Sequence, residues 1–283
     1  MENYIDYKRE LEGLENVLST VKTIEKIAAS RVHTVKEAVQ HLAAYSVEIE
    51  KILGYLGDGA IGKEHALFEG NPKGGKMLVI FSGNRGLVGS LWHDLINISI
   101  EKIREYRFVV TVGKKAESYI REEHTHIEPT ALHIEDLPSD KNIGDVAEYM
   151  IGEFKKGHLA GIDIAYPRFV SLSTHEATII PFLPFRFAIG GEIRNGMAEG
   201  LPIIEPSKRR ILSELMEKYI NAYARKIVLE TSLSELSSRT VTMEHATEKT
   251  RDIVKKMKRT HAKDRVRMTT QKQIESFTAH KFR

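Results

Sequence analysis

Two stretches, one at each end of the chain, repeat apolar residues in alternating steps of three and four. The first runs through Leu11, Leu14, Leu18, Val21, Glu25, Ala28, Val32, Val35, Val39, Leu42, Ser46, Ile49, Leu53 and Leu56. The second starts at Leu212 and passes Leu215, Tyr219, Ala222, Lys226, Leu229, Leu233, Leu236, Thr240, Met243, Thr247, Thr250, Val254, Met257 and His261. Such spacing predicts one stripe along each of two long helices, and a strict seven-residue period imposes a left-handed supercoil. Each stripe needs a partner, and the simplest partner is the other one. The two ends are therefore expected to pair antiparallel, with the intervening domain docked at one side and Val21 facing a residue near Leu236 or Met243. A terminal helix from Ser207 to the end would be about 110 Å long, which suits a shaft. Glu25 and Lys226 interrupt the stripes, either as residues at the edge of the seam or as polar positions that fix its register.

Between the stripes the texture changes. Gly54 to Gly59 stops the first helix, and Asp58 to Gly75, with Asn71-Pro72 and Gly74-Gly75, reads as a loop. Lys76 to Ser82 is a continuous apolar run of the kind buried on both faces of a parallel sheet. Helical spacing follows through Leu91, Leu95, Ile98, Ile103 and Tyr106. Further strands are expected at Phe108 to Val112, Ala131 to Ile134, Ile162 to Tyr166 and Ala177 to Leu183, the last broken by Pro181. Helices are expected at Lys114 to Glu123 and Asp145 to Phe154. Strands alternating with helices indicate an α/β unit with right-handed crossovers. The expected organisation is an N-terminal coiled-coil helix over 1–57, a linker over 58–75, a Rossmann-like α/β domain over 76–190, a loop over 191–206 and a C-terminal coiled-coil helix over 207–283.

Composition narrows the class. The 283 residues, 41% of them hydrophobic and 29% charged, can bury a real core. No run approaches a membrane span or a signal peptide, so a soluble protein of the cytoplasm, or of an organelle interior after loss of a transit peptide, is expected. With no cysteine, disulfides, iron–sulfur clusters and thiol catalysis are excluded. The net charge of +3 is unevenly spread. Lys255, Lys256, Lys258, Arg259, Lys263, Arg265 and Arg267 are opposed only by Asp264, so the far end of the last helix is strongly basic.

Candidate chemistry is sparse. Gly83-Asn84-Arg85-Gly86-Leu87-Val88-Gly89 lies between a strand and a helix, where phosphate-binding loops occur. It lacks both the Lys-Ser/Thr of a Walker loop and the spacing of the dinucleotide fingerprint. A tight packing turn is the plainer reading and anion binding the sharper one. His124 and His126 could share a face as metal ligands, but no neighbouring partners have the spacing of a metal site. No nucleophile or paired-carboxylate constellation can be argued from spacing, so no catalytic, cofactor or metal residue is assigned.

Several segments together resemble the gamma subunit of F-type ATP synthases, the central rotor stalk. Tyr7-Lys8-Arg9, Asn16, Lys22 and Ala28-Ala29-Ser30 resemble the family pattern I-K-R-R…N-T-Q-K-I-T-K-A-M-x-x-V-A-A-x-K. Ser82 to Gly89, with Arg85, Gly86 and Gly89, is similar to S-D-R-G-L-C-G, and Asp163 to Phe169 with Pro181 and Pro184 to D-x-x-x-x-Y-N-x-F…L-P. Ser234-Glu235, Arg239, Met243 and Ala246-Thr247 resemble S-E-x-x-x-R-x-x-A-M-x-x-A-T, and Lys263, Arg265 and Thr270-Gln271 resemble N-K-A-R-Q-x-x-I-T-Q-E. Val266 and Lys272 depart from that last pattern, Lys272 standing where the family has Glu. In the first helix Val17-Leu18-Ser19-Thr20 replaces T-Q-K-I, and with Val21-Lys22-Thr23 and Ile27-Ala28-Ala29-Ser30 that helix looks closer to a divergent branch such as the sodium-linked ATPases.

The resemblance implies a non-catalytic rotor subunit of a proton- or sodium-transporting ATP synthase. Its coiled coil would turn inside the alpha–beta hexamer, and its α/β domain would rest on the membrane c-ring beside an epsilon-type subunit. It also implies that Arg265, Thr270, Gln271 and Lys272 meet the catch region of the beta subunits, and that the complex lies peripherally on the cytoplasmic face of the cell membrane. The alternative from the residues alone is a nucleic-acid-associated coiled-coil protein, since phosphate neutralisation needs only clustered Lys and Arg.

Overall fold

The computed structural model describes residues 2–56, 67–122, 129–135, 140–185 and 205–281. In chain order the elements are helix α1 (Glu2–Leu56), strand β1 (Gly75–Phe81), helix α2 (Leu91–Lys102) with a 3₁₀ turn at Ile103–Glu105, β2 (Phe108–Val112), α3 (Lys114–Glu122), β3 (Thr130–Leu132), α4 (Asp140–Lys155), β4 (Leu159–Phe169), β5 (His175–Leu183) and α5 (Lys208–Lys281). The chain divides into two compact units, one formed by residues 1–29 with 239–283 and the other by residues 30–238.

In the first unit the two stripes meet. Along α1 the burial rises at Leu11, Leu14, Leu18, Val21, Glu25 and Ala28, and along α5 at Met243, Thr247, Thr250, Val254, Met257 and His261, with the intervening positions mostly exposed. Thr247 bonds Glu25 and Lys258 pairs with Glu15, so one helix ascends as the other descends. These pairs place Val21 opposite Thr250 to Val254. The expected facing of Val21 with Leu236 or Met243 is thus corrected. The apolar rhythm alone permits any shift by a whole heptad, and the polar pairs select one.

The second unit is a five-stranded sheet in the order β3-β2-β1-β4-β5. β1, β2, β3 and β4 are parallel, while β5 runs antiparallel to β4. Alternation along β1 splits the core in two. Met77, Val79 and Phe81 face α4, α5 and the end of α1, whereas Leu78 and Ile80 face α2 and α3. Ile49 and Leu53 of α1 and Leu212, Met216, Ile220, Ile227 and Val228 of α5 belong to the first of these cores. Between Tyr219 and Ser238 almost every position of α5 is buried or half-buried, because the helix has neighbours on all sides there.

β4 and β5 are joined by a hairpin closed by the Ser171 and Thr174 main-chain bonds, with no helix between them. One local expectation is corrected: Pro181 does not break β5. It pairs with Asp163 at a register shift on an edge strand, where a missing N–H is tolerated.

Candidate functional site

In a doubly wound sheet, ligands bind outside the carboxyl ends of the strands, where the strand order reverses. Here that point lies beyond the ends of β1 and β4, which are neighbours although α2, β2, α3, β3 and α4 separate them along the chain. It is occupied by α5. Oε1 of Glu230 accepts the Phe169 N–H at 3.2 Å, Ser234 Oγ donates to the Pro167 carbonyl at 2.8 Å, and Ser238 Oγ donates to the Val88 carbonyl at 2.6 Å. A Cβ on Gly83 would stand 2.3 Å from Glu235 Oε2 and 2.8 Å from Trp92 Cζ2. A side chain at this position would have to displace the Glu235 carboxylate and the Trp92 ring.

The rest of the glycine turn is satisfied from within the chain. Ser82 Oγ accepts the Ala116 N–H at 2.9 Å, and Asn84 donates to the Ile134 carbonyl at 2.7 Å while accepting the Lys114 N–H at 3.1 Å. Trp92 Nε1 donates to the Arg85 carbonyl at 3.0 Å. Leu87 and Gly89 both take positive φ, 63° and 57°, which turns the chain sharply into α2. These contacts make Gly83 to Gly89 a docking surface for α5, the plainer of its two sequence readings. They also join two family motifs that lie far apart in the chain, because Glu235 of the S-E segment lies against Gly83.

Glu230 is the most unusual residue of this interface. It is 7% exposed and its Oε2 has no hydrogen-bond partner. Burial pushes its carboxyl above the ordinary glutamate value, an effect that Lys226, the Phe169 N–H and Arg168 partly oppose. Lys226 also lies over the Tyr223 ring, 5.4 Å from its centre. Nearer the start of α5, Tyr219 donates to Glu50 of α1 and is packed against Phe185 and Tyr223. Burial and, next, the Glu50 bond raise the Tyr219 phenol well above its usual range. None of these polar contacts was legible from the stripes. The available signal was the four-residue spacing of Glu230, Ser234 and Ser238 off the seam.

In the first unit an open groove is lined by Glu15, Lys22, Arg251, Lys255, Lys258 and Arg259. The sequence-predicted contact residues lie further along α5. Arg265 and Lys272 are exposed, the Thr270 hydroxyl donates to the Val266 carbonyl of its own helix at 3.0 Å, and Gln271 Nε2 donates to Glu275 at 3.2 Å. Of the other motif residues, Arg85 and Gly89 are exposed, Lys22, Gly86, Glu235 and Arg239 are partly buried, and Met243 is buried. His124 and His126 lie outside the described residues. Among the described residues no group of three or more His, Asp or Glu has metal-binding geometry.

The geometry defines a helix-pair protein whose doubly wound unit has its ligand crevice filled by its own C-terminal helix. The chain belongs to the ATP synthase family, whose sequence model matches residues 3–275. An ATP synthase gamma chain of Ruthia magnifica is 24% identical over 273 residues, 94% of each chain. Another, from Rhodopirellula baltica, is 25% identical over 269 residues, 90% of each. The fold is shared with solved structures. A chain of the Euglena gracilis mitochondrial ATP synthase, OSCP/F1/c-ring, superimposes with a TM-score of 0.65 at 16% identity, covering 98% of this chain and 93% of that one. A chain of the Tetrahymena thermophila mitochondrial ATP synthase central stalk and c-ring gives 0.59 at 15% identity, covering 81% and 99%.

Proposed function

We propose that this chain is the non-catalytic central-stalk rotor of an F-type ATP synthase, linking ion passage through a membrane ring to nucleotide binding in an alpha–beta hexamer. The observation that carries the reading is the filled crevice. The place where a doubly wound sheet would bind a nucleotide holds α5 instead, in a chain whose family membership spans residues 3–275. A packed antiparallel seam supplies stiffness, and a rotor needs no bond-making chemistry of its own. Its asymmetric surface would favour a different conformation of each catalytic subunit as it turns, which makes rotor angle and nucleotide affinity two sides of one coupling free energy.

In this reading the helices over 1–57 and 207–283 form the shaft, and the α/β domain over 76–190 contacts the c-ring and an epsilon-type subunit. Arg265, Thr270, Gln271 and Lys272 meet the beta subunits, and the Lys255 to Arg267 charge meets acidic surface inside the hexamer. No described helix is long and apolar enough to cross a membrane, so attachment to the cytoplasmic face of the cell membrane runs through the complex. The coupling ion is H⁺ or Na⁺.

Affinity capture of the tagged chain from its source, followed by identification of what it retains, tests the proposal. Alpha and beta subunits retained in fixed stoichiometry are expected. Their absence, with DNA binding of steep salt dependence in its place, would overturn it.

A further inference from the structure

Glu230, Ser234 and Ser238 are spaced four residues apart and so fall on one face of α5, over an axial length of about 12 Å. Each bonds the main chain of the sheet's carboxyl edge or of the turn after β1, at Phe169, Pro167 and Val88. Glu230 and Ser234 are buried, at 7% and 1% exposure, and none of the three lies on the stripe that faces α1. All of the partner atoms belong to the backbone, so no rotamer change in the sheet can follow α5 if it moves.

Apolar packing is non-directional. A helix held to a sheet by such contacts alone can rotate or slide until its side chains reseat. Hydrogen bonds weaken steeply once they leave their line, and three of them along one helical face fix both rotation and translation. The choice of residues supports this role. A carboxylate is expensive to bury, and an apolar side chain at 230 would have packed in the same core. Glu230 stands where it ties α5 to the end of β4.

We infer that Glu230, Ser234 and Ser238 form the torque joint of this rotor, the positioning residues that lock turning of α5 to turning of the sheet unit. The inference rests on the rotor reading above and adds the place where load crosses from the sheet to the shaft. Load from the sheet side reaches α5 through three directional bonds. Without the bonds the helix still packs and the complex still assembles. Under load, however, α5 can reseat against the sheet, and a turn of the sheet unit no longer gives a full turn of the shaft.

The test uses the whole complex, reconstituted in vesicles, with the triple variant Glu230→Ala, Ser234→Ala, Ser238→Ala. ATP hydrolysis and ATP-driven ion uptake are measured on the same preparation, and the readout is ions moved per ATP hydrolysed. That ratio is expected to fall at least about threefold while hydrolysis stays near the wild-type rate. Glu230→Gln, which keeps an acceptor for the Phe169 N–H, is expected to retain the wild-type ratio. A triple variant with the wild-type ratio, or one in which both activities fall in proportion, overturns the inference. If the triple variant does not assemble, the three single alanine variants are read the same way, and wild-type ratios in all three overturn it. A wild-type complex that hydrolyses ATP without moving ions would refute the rotor reading itself, so the two failures are distinguishable.

Discussion

Thr247 donates its hydroxyl hydrogen to Oε2 of Glu25 across the seam at 2.9 Å, and both residues occupy stripe positions of their helices. Glu25 is therefore more than an edge residue. A polar pair inside an apolar stripe is satisfied in one register and left unpaired in the others, which is how such pairs specify alignment at some cost in stability. Glu25→Leu alone leaves only a hydroxyl to find another acceptor and is expected to change stability by less than about 1.5 kcal/mol. Glu25→Leu with Thr247→Leu is expected to keep or raise the melting temperature while loosening the register. A scan of cysteine pairs in this cysteine-free chain checks it. Wild type should crosslink Val21→Cys mainly with positions 250 to 254, and the double variant should add pairs a heptad away.

Gly83 and Glu235 make a second coupled pair. Gly83→Ala places a Cβ where the Glu235 carboxylate and the Trp92 ring now lie. Relieving the overlap moves either side chain at an expected cost of about 1 to 3 kcal/mol. Adding Glu235→Ala should recover part of that loss. Urea unfolding of the four members of this double-mutant cycle measures the coupling; strict additivity would mean that the turn and α5 do not share this contact.

Glu230 sets a pH dependence whose sign follows from its burial. Its folded carboxyl titrates above the ordinary glutamate value, so the folded chain binds the proton more tightly than the unfolded chain does. The stability this contributes is present at low pH and is lost as pH rises through the window from the ordinary value to the raised one. Glu230→Gln should flatten that part of the stability-against-pH curve and leave the variant at least as stable as wild type above the window. Thermal melts in steps across the acidic and neutral range check it.

How far the sequence reached is clearest from these residues. The stripes were legible because a seam that runs for many turns repeats its burial pattern at each one. The strand-to-helix turn at Gly83 was legible from its place between an apolar run and a helical rhythm. The antiparallel direction of β5 was not, since the Val170 to Thr174 hairpin carries no glycine or other strong turn signal. The joint was illegible for a different reason. Glu230, Ser234 and Ser238 bond main-chain atoms 61, 67 and 150 residues away, and no local pattern encodes such partners. Nor does a pattern say that a Rossmann-like crevice will be filled by the chain's own helix.

The exposed end of α5 carries a separate expectation. Arg265→Glu and Lys272→Glu should each lower the number of ions moved per ATP in the reconstituted complex, because charged pairs at a partly desolvated interface cost about 2 to 5 kcal/mol when one partner is left unpaired. The same ratio in both variants as in wild type would mean that this end turns without specific charge contacts.

Rotation itself is the most direct test of the account. The chain has no cysteine, so Leu172→Cys at the exposed tip of the β4–β5 hairpin gives a single attachment point for a bead. With the alpha–beta hexamer fixed to a surface, the account predicts that the bead turns in one direction when ATP is added and stops when ATP is exhausted. A bead that stays still while the same molecules hydrolyse ATP would contradict it.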